Sequence, residues 1–289
     1  MSFLVTRPAA ECVFRKRNAV AFRASLNAAV VCGALTLLLT AVPARAQLFV
    51  HSLGDREFGQ INLNTLTYNL IGRTSVEFFD IAFNPSGDLF GITGRPADRR
   101  LYQIDPTNAV TTLVGNHNVQ NLNALAFRSD GVLFAAGAGT LYTMNPATGS
   151  VTSLGTMSGF NSAGDIAFDR NGNLYMTTTT NQLVSLNQLN GSATVVGDLG
   201  FDDVFGMAFD PDANIMYGIS AASGGRRLFQ INLTTGAGFA PLTYPSSINV
   251  GGGSFSREAV AIVVPEPTTL ALLGVGCSML GALVVRRRK

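Results

Sequence analysis

Three short landmarks recur along this chain in a common phase, and that phase restricts the possible folds more than any single motif does. An apolar-Ala-apolar step falls at Ala82, Ala126, Ala167, Ala208 and Ala261, with spacings of 44, 41, 41 and 53 residues. An apolar residue followed by Asn or Asp marks Asn62, Asp105, Asn145, Asn187 and Asn232, spaced by 43, 40, 42 and 45. A glycine closes each unit at Gly72, Gly115, Gly155 and Gly197. A fixed period of roughly 40 to 50 residues is the mark of stacked supersecondary units that bury their faces on one another.

The stretch Asp165 to Gly197 is the cleanest copy. Its apolar runs at 165–168, 174–178, 183–186 and 193–196 are short, and Gly, Asn or Asp bounds them, so the spacing predicts four strands and no helix. Four antiparallel strands in about 42 residues describe one propeller blade. Residues 48–72 hold strands two to four of a unit and Glu258–Val263 is a lone candidate for strand one, so a fifth blade is expected from both ends of the domain. The expected fold class is all-β, a five-bladed β-propeller with N- and C-terminal strand closure. A β-sandwich would not require a repeat held in phase.

The two ends are built differently. Residues 1–27 carry Arg7, Arg15, Lys16, Arg17 and Arg23 against one acid, Glu11, and are followed by the uncharged run 28–42 and the small-x-small step Ala44-Arg45-Ala46. Residues 1–46 therefore read as a secretory signal helix that signal peptidase removes before Gln47. At the other end Pro265-Glu266-Pro267 precedes 18 uncharged residues, 268–285, and the cluster Arg286-Arg287-Arg288-Lys289. That run reads as a C-terminal transmembrane helix held in the membrane before processing, with the basic cluster on the cytoplasmic side.

Residues 264–289 resemble the PEP-CTERM sorting segment of exported proteins in Gram-negative bacteria, with Pro265, Glu266, Pro267, the apolar helix and Arg286, Arg287 and Arg288 all in order. The resemblance implies an exosortase-type processing enzyme as partner and delivery to the cell surface, an extracellular polysaccharide (exopolysaccharide) or a biofilm matrix. The domain between the two signals is residues 47–263.

All three cysteines, Cys12, Cys32 and Cys277, lie outside that domain, so it has no disulfide and no thiol nucleophile. It keeps ten arginines, no lysine and sixteen acids. A net charge of about minus six excludes nucleic acid as the expected partner.

In a propeller, the loops from strand four to the next strand one and from strand two to strand three emerge on one face. By that rule the face receives Arg56, Arg73, Arg95, Arg99, Arg100, Arg226, Arg227 and Arg257, with the insertions 93–100 and 221–227 as its longest arms. Asp80, Asp165 and Glu258 precede inner strands and are expected at the channel mouth. The candidate binding face is thus Arg95, Arg99, Arg100, Arg226, Arg227, Asp80, Asp165 and Glu258, with Asn118, Gln120, Asn121 and Asn123 nearby for sugar hydroxyls.

No cofactor is required by the sequence. Ca2+ is the metal that converging channel carboxylates would suit, although no ligand set is complete. The run Ala167 to Tyr175 is similar to blades of gluconolactonase-like hydrolases, which implies a metal-dependent hydrolase as the alternative to a non-enzymatic binding module. The turn Asp169-Arg170-Asn171-Gly172-Asn173 begins like a calcium loop but has Thr180 where a bidentate Glu belongs, and reads as a blade turn. His51 and His117 lie in different blades without a GxSxG elbow, so no catalytic residue is assigned.

Overall fold

The computed structural model describes residues 45–259. The expected signal helix and the expected C-terminal transmembrane helix lie outside those residues, and among the described residues no helix is long and apolar enough to cross a membrane. Twenty strands fill the described chain: β1 (Leu48–Ser52), β2 (Glu57–Asn62), β3 (Thr67–Arg73), β4 (Asp80–Phe83), β5 (Leu89–Ile92), β6 (Arg100–Ile104), β7 (Thr111–Asn116), β8 (Leu122–Phe127), β9 (Leu133–Gly137) and β10 (Thr140–Met144) in the first half. The second half continues with β11 (Val151–Thr156), β12 (Ser162–Phe168), β13 (Leu174–Thr178), β14 (Gln182–Leu186), β15 (Ala193–Asp198), β16 (Val204–Asp210), β17 (Ile215–Ser220), β18 (Arg227–Ile231), β19 (Gly238–Thr243) and β20 (Val250–Phe255).

They form five sheets of four antiparallel strands, and four sheets run in sequence order: β4 to β7, β8 to β11, β12 to β15 and β16 to β19. These are blades 1 to 4. Blade 5 has the order β20-β1-β2-β3, so the last strand pairs with the first and both ends of the domain are tied into one sheet. The five-bladed propeller with terminal closure stands as expected, with residues 48–72 as strands two to four of the closing blade.

The inner strand of that blade is not Glu258–Val263. It is β20, Val250-Gly-Gly-Gly-Ser-Phe255, and residues 256–259 form a turn after it. The register gives the reason. The recurring alanine faces an aromatic on strand two at Ala82↔Phe90, Ala126↔Phe134, Ala167↔Tyr175 and Ala208↔Tyr217. In blade 5 the same place pairs Ser254 with Phe49. A small residue is what each aromatic needs beside it, and serine serves where alanine was expected.

The first two strands of blade 1, β4 and β5, are buried along their whole length, because neighbouring blades cover both faces. The seams are aromatic: Phe134 of blade 2 meets Phe168 of blade 3 edge-on at 5.4 Å, and Phe90 of blade 1 meets Phe127 of blade 2 at 5.3 Å. The turn at Asp169 is closed by its own carboxylate, whose Oδ1 accepts the N–H groups of Asn171 and Asn173 at 2.9 and 2.8 Å. That oxygen is committed to the turn.

The closing glycines mark contacts between blades. A Cβ on Gly115 would lie 1.9 Å from the carbonyl oxygen of Thr148 in the next blade's outer turn; for Gly155 the atom is Asn190 O at 2.0 Å, and for Gly197 it is Thr235 O at 1.9 Å. The outer turn of one blade is thus seated on the outer strand of the one before. All five blades have a register shift between strands three and four. Such bulges twist an outer edge and blunt it against pairing with other chains.

Gly115→Ala should therefore lower the unfolding free energy by roughly 1 to 3 kcal/mol through overpacking against fixed backbone. Thr112→Ala, at an exposed position of the same strand, should change it by less than about 0.5 kcal/mol. Urea midpoints of the two variants check this, and equal midpoints would remove the glycine contact as a determinant of blade spacing.

Candidate functional site

The five inner strands line the channel, each with one edge that no strand pairs. Side chains of adjacent blades supply acceptors there. Asp80 of blade 1 accepts the Leu125 N–H of blade 2 on Oδ2 at 2.6 Å and its own chain's Ile81 N–H on Oδ1 at 2.8 Å. Asp165 of blade 3 accepts the Met207 N–H of blade 4 at 2.7 Å. Glu258, beyond β20, accepts the Phe209 N–H of blade 4 at 2.9 Å, and Ser254 of blade 5 accepts the Phe83 N–H of blade 1 at 3.3 Å. The remaining seam is joined by Asn123 of blade 2, whose Nδ2 donates to Ser162 O of blade 3 at 3.1 Å. Every pair of neighbouring blades is joined by a side chain.

Asp80 and Asp165 occupy equivalent levels of their inner strands, where the other three blades carry Ala124, Gly206 and Gly252. Room is short at that level. A Cβ on Gly252 would lie 2.8 Å from His51 Nε2 and 3.1 Å from Asp80 Oδ1, and one on Gly206 only 3.1 Å from Gly252 Cα. Asp80 and Asp165 are 0 % and 1 % exposed. Burial holds both carboxyls well above the usual range; the charge of Asp80 raises Asp165 further, whereas the hydrogen bond between the two carboxyls, which requires a proton on one of them, favours the charged form of Asp80. The remaining channel space beside Asp165, Ser254 and Glu258 is about 10 Å3, the room of one water.

His51 is buried on β1 beside this pair with neither ring nitrogen hydrogen-bonded, and burial pushes it down to about 4, so it is neutral. His117 is buried and fully partnered. Its Nδ1 accepts the Val119 N–H at 3.2 Å, so Nε2 carries the hydrogen that reaches Thr93 O at 2.8 Å and pins the first arm. Among the described residues no group of three or more His, Cys, Asp or Glu side chains is placed to hold a metal ion. The oxygens of Asp80 facing Leu125 and Ile81 are already used as backbone acceptors.

The rim holds most of the exposed arginines. Arm 93–100 projects from blade 1 and arm 221–227 from blade 4, the two blades that flank the closing one. Arg95 pairs with Glu77, Arg73 with Glu57 at 3.0 Å and Arg100 with Asp98 at 3.5 Å. Arg56, Arg99, Arg226 and Arg227 make no ion pair among the described residues. Arg56 donates to Ser75 O, Arg99 to Asn118 O and Arg227 to Thr243 Oγ1. The Nε atoms of Arg99 and Arg226 are buried without a partner. All seven of these arginines belong to blades 4, 5 and 1, whereas the strand-two-to-three turns of blades 2 and 3, 138–139 and 179–181, are short and carry no arginine.

The expected site residues thus separate into three places. Arg95, Arg99, Arg100, Arg226 and Arg227 share the rim, and Asp80 and Asp165 lie sealed below it. Glu258 does not belong to that face. Because β20 ends at Phe255, Glu258 and Arg257 lie on the opposite face, the floor, where Arg257 pairs with Asp212 at 3.0 Å. Glu258 lines a floor cavity of about 130 Å3 with Phe127, Phe168, Phe209 and Arg170. Asn123 also leaves the rim set, since its amide spans a blade seam. Sequence reading missed His51 and Ser254 as channel residues, and the pairing of Ser254 with aromatic Phe49 was the available signal.

Residues 53–255, from the end of the first strand to the end of the last, match the family described as a repeat of unknown function, DUF6923. The chain belongs to DUF6923. Residues 263–289 match the PEP-CTERM protein-sorting motif, so this DUF6923 chain is an exported protein with a motif for exosortase processing at a membrane. No curated protein matches it. Among solved structures, a chain from a nidogen/laminin complex is 11 % identical, with 73 % of this chain and 98 % of that one covered and a TM-score of 0.51, a likeness of fold alone. A chain from a study of the de novo evolutionary emergence of a symmetrical protein is 16 % identical over 74 % and 95 %, with a TM-score of 0.48. A protein of unknown function from Bacteroides caccae is 16 % identical over 69 % and 73 %, with a TM-score of 0.45.

The Glu258 carboxyl gives this DUF6923 ring a pH signature. Burial raises it from 4.5 to about 7, against the hydrogen bonds from Phe209, Ser254 and Phe255. A raised folded value means that the native state binds the proton more tightly, so the stabilisation is full below about 4.5 and is lost as pH rises through 7. Relative to Glu258→Gln, the parent should lose roughly 3 kcal/mol of stability between acid and pH 8. Thermal melts of both proteins across that range check this, and parallel curves would show that Glu258 does not titrate in the window.

Proposed function

We propose that the exported propeller is a non-enzymatic binding module that takes acidic polysaccharide at the cell surface or in the extracellular matrix through the arginine arc of blades 4, 5 and 1. The observation that carries this reading is the group Arg56, Arg99, Arg226 and Arg227, rim cations with no carboxylate of their own among the described residues. Guanidinium groups bind uronate carboxylates through paired hydrogen bonds, with planar geometry that favours them over isolated ammonium groups. Asn118 and Asn121, both at left-handed backbone positions in the loop beside arm 93–100, offer neutral partners for sugar hydroxyls.

Hydrolysis is the weaker reading, because the channel carboxylates are closed to solvent and serve as acceptors between blades. A substrate could not reach Asp80 or Asp165 without parting the inner strands.

Purified residues 47–263 should retain uronate-bearing polysaccharides on a glycan array and leave neutral ones unbound. Arg99→Ala and Arg226→Ala should each weaken that binding by about tenfold or more, the usual range for a charge-assisted hydrogen bond, and added salt should weaken it further. Affinity unchanged in both variants would place the site elsewhere, and release of shortened sugars would favour the hydrolase.

A further inference from the structure

Both ends of the described chain emerge from the floor. Ala46 N–H donates to Asp212 Oδ2 at 2.7 Å, and Gln47 N–H donates to Ser256 Oγ at 3.1 Å while Gln47 O accepts the Ser256 N–H at 3.0 Å. Glu258 fixes the other end from within, bonded to Phe209, Ser254 and Phe255. Ala259, the last described residue, is 3 % exposed and lines the floor cavity with Phe127, Phe168 and Phe209, which lie at or next to the ends of three inner strands. The chain therefore leaves the propeller near its axis and not at its circumference.

The sorting motif begins at residue 263. Four residues of fully extended chain reach at most ~14 Å, and the six to Pro265 about 21 Å. Around that exit stand the floor turns 84–88, 128–132, 169–173 and 210–214, whose tips include the exposed residues Ser86, Ser129 and Asn171. An enzyme that grips the motif must accept these turns against its own surface. The arginine rim lies at the opposite end of the channel.

We propose that the propeller floor, and not its rim, is the surface presented to the processing enzyme, so that the precursor stands on the membrane with its arginine arc outward. The inference rests on processing at the sorting motif. It adds the face used, and it makes the floor a protein-facing surface whose polar tips and acids, Asp88, Asp130, Asp169 and Asp212, meet the enzyme before cleavage.

The test uses the full-length precursor in membranes that bear the processing enzyme, with a photo-crosslinking residue at Ser129 or Asn171 on the floor, or at exposed Ser223 on the rim. Floor positions should give the enzyme adduct in at least about fivefold higher yield than Ser223, because a short tether holds the floor at high effective concentration. Inserting a flexible Gly-Ser linker of about 15 residues after Ala259, which adds ~20 Å of average reach, should abolish the floor adducts while conversion to the shortened form continues. Equal or greater yield from Ser223 would overturn the proposal. So would floor adducts that persist at the same yield with the linker, or conversion without floor adducts in the parent. A precursor that never shortens would overturn the sorting reading beneath it, and the proposal with it.

Discussion

An inner strand of a propeller has a neighbour on one side only, and its open edge must find acceptors for N–H groups that are buried away from solvent. An unpaired buried donor costs about 1 to 3 kcal/mol, so several such groups would consume much of a domain's stability. This chain meets the requirement with a few side chains placed near the channel, Asp80, Asp165, Ser254 and Glu258, each reaching the backbone of an adjacent blade. The carboxylates are strong acceptors, and their burial has a cost of its own. Asp80 and Asp165 reduce it by sharing a proton, and Glu258 by holding one through part of the physiological range.

That arrangement explains the composition of the inner strands. Two aspartates and an imidazole can enter the channel at one level only because the other blades withdraw to Ala124, Gly206 and Gly252 there. A Cβ at Gly252 would crowd His51 and Asp80, and one at Gly206 would crowd the backbone of Gly252. On the circumference the same economy of space appears at Gly115, Gly155 and Gly197, where one blade's turn sits on the previous blade's backbone. Glycine thus sets the spacing of the ring at both radii.

Much of this was legible in the sequence, and the parts that were not have physical reasons. The repeat, the number of blades and the closure by both ends follow from phase alone, since Asn62 and Asn232, each within a Gln-Ile-Asn-Leu run, mark the same outer turn in two different blades. The closing inner strand was misplaced because Gly251-Gly252-Gly253 carries no apolar alternation, while residues 259–264 look like a strand. Only the tertiary need for a small residue opposite Phe49 identifies Ser254. The misplacement carried Glu258 and Arg257 to the wrong face, because each strand reverses the chain. The five rim arginines kept their face, since arms 93–100 and 221–227 are bounded by blades with intact landmarks.

The three levels of the molecule are then separable by what each can afford to change. Channel residues are tied to blade stitching, and a substitution there affects the ring before it affects any ligand. Floor residues are tied to the chain's exit, where Ala259 and the first bonds of Gln47 leave little slack. The rim carries the long arms, and its arginines gather on the two blades that flank the closure and on the closing blade itself. The strand-two-to-three turns of blades 2 and 3 are minimal, so the long arms are one-sided in a ring that is otherwise nearly fivefold. A symmetric scaffold gains a direction by this means: the arginines of the long arms lie on one arc of one face, and the opposite face carries the ends of the described chain.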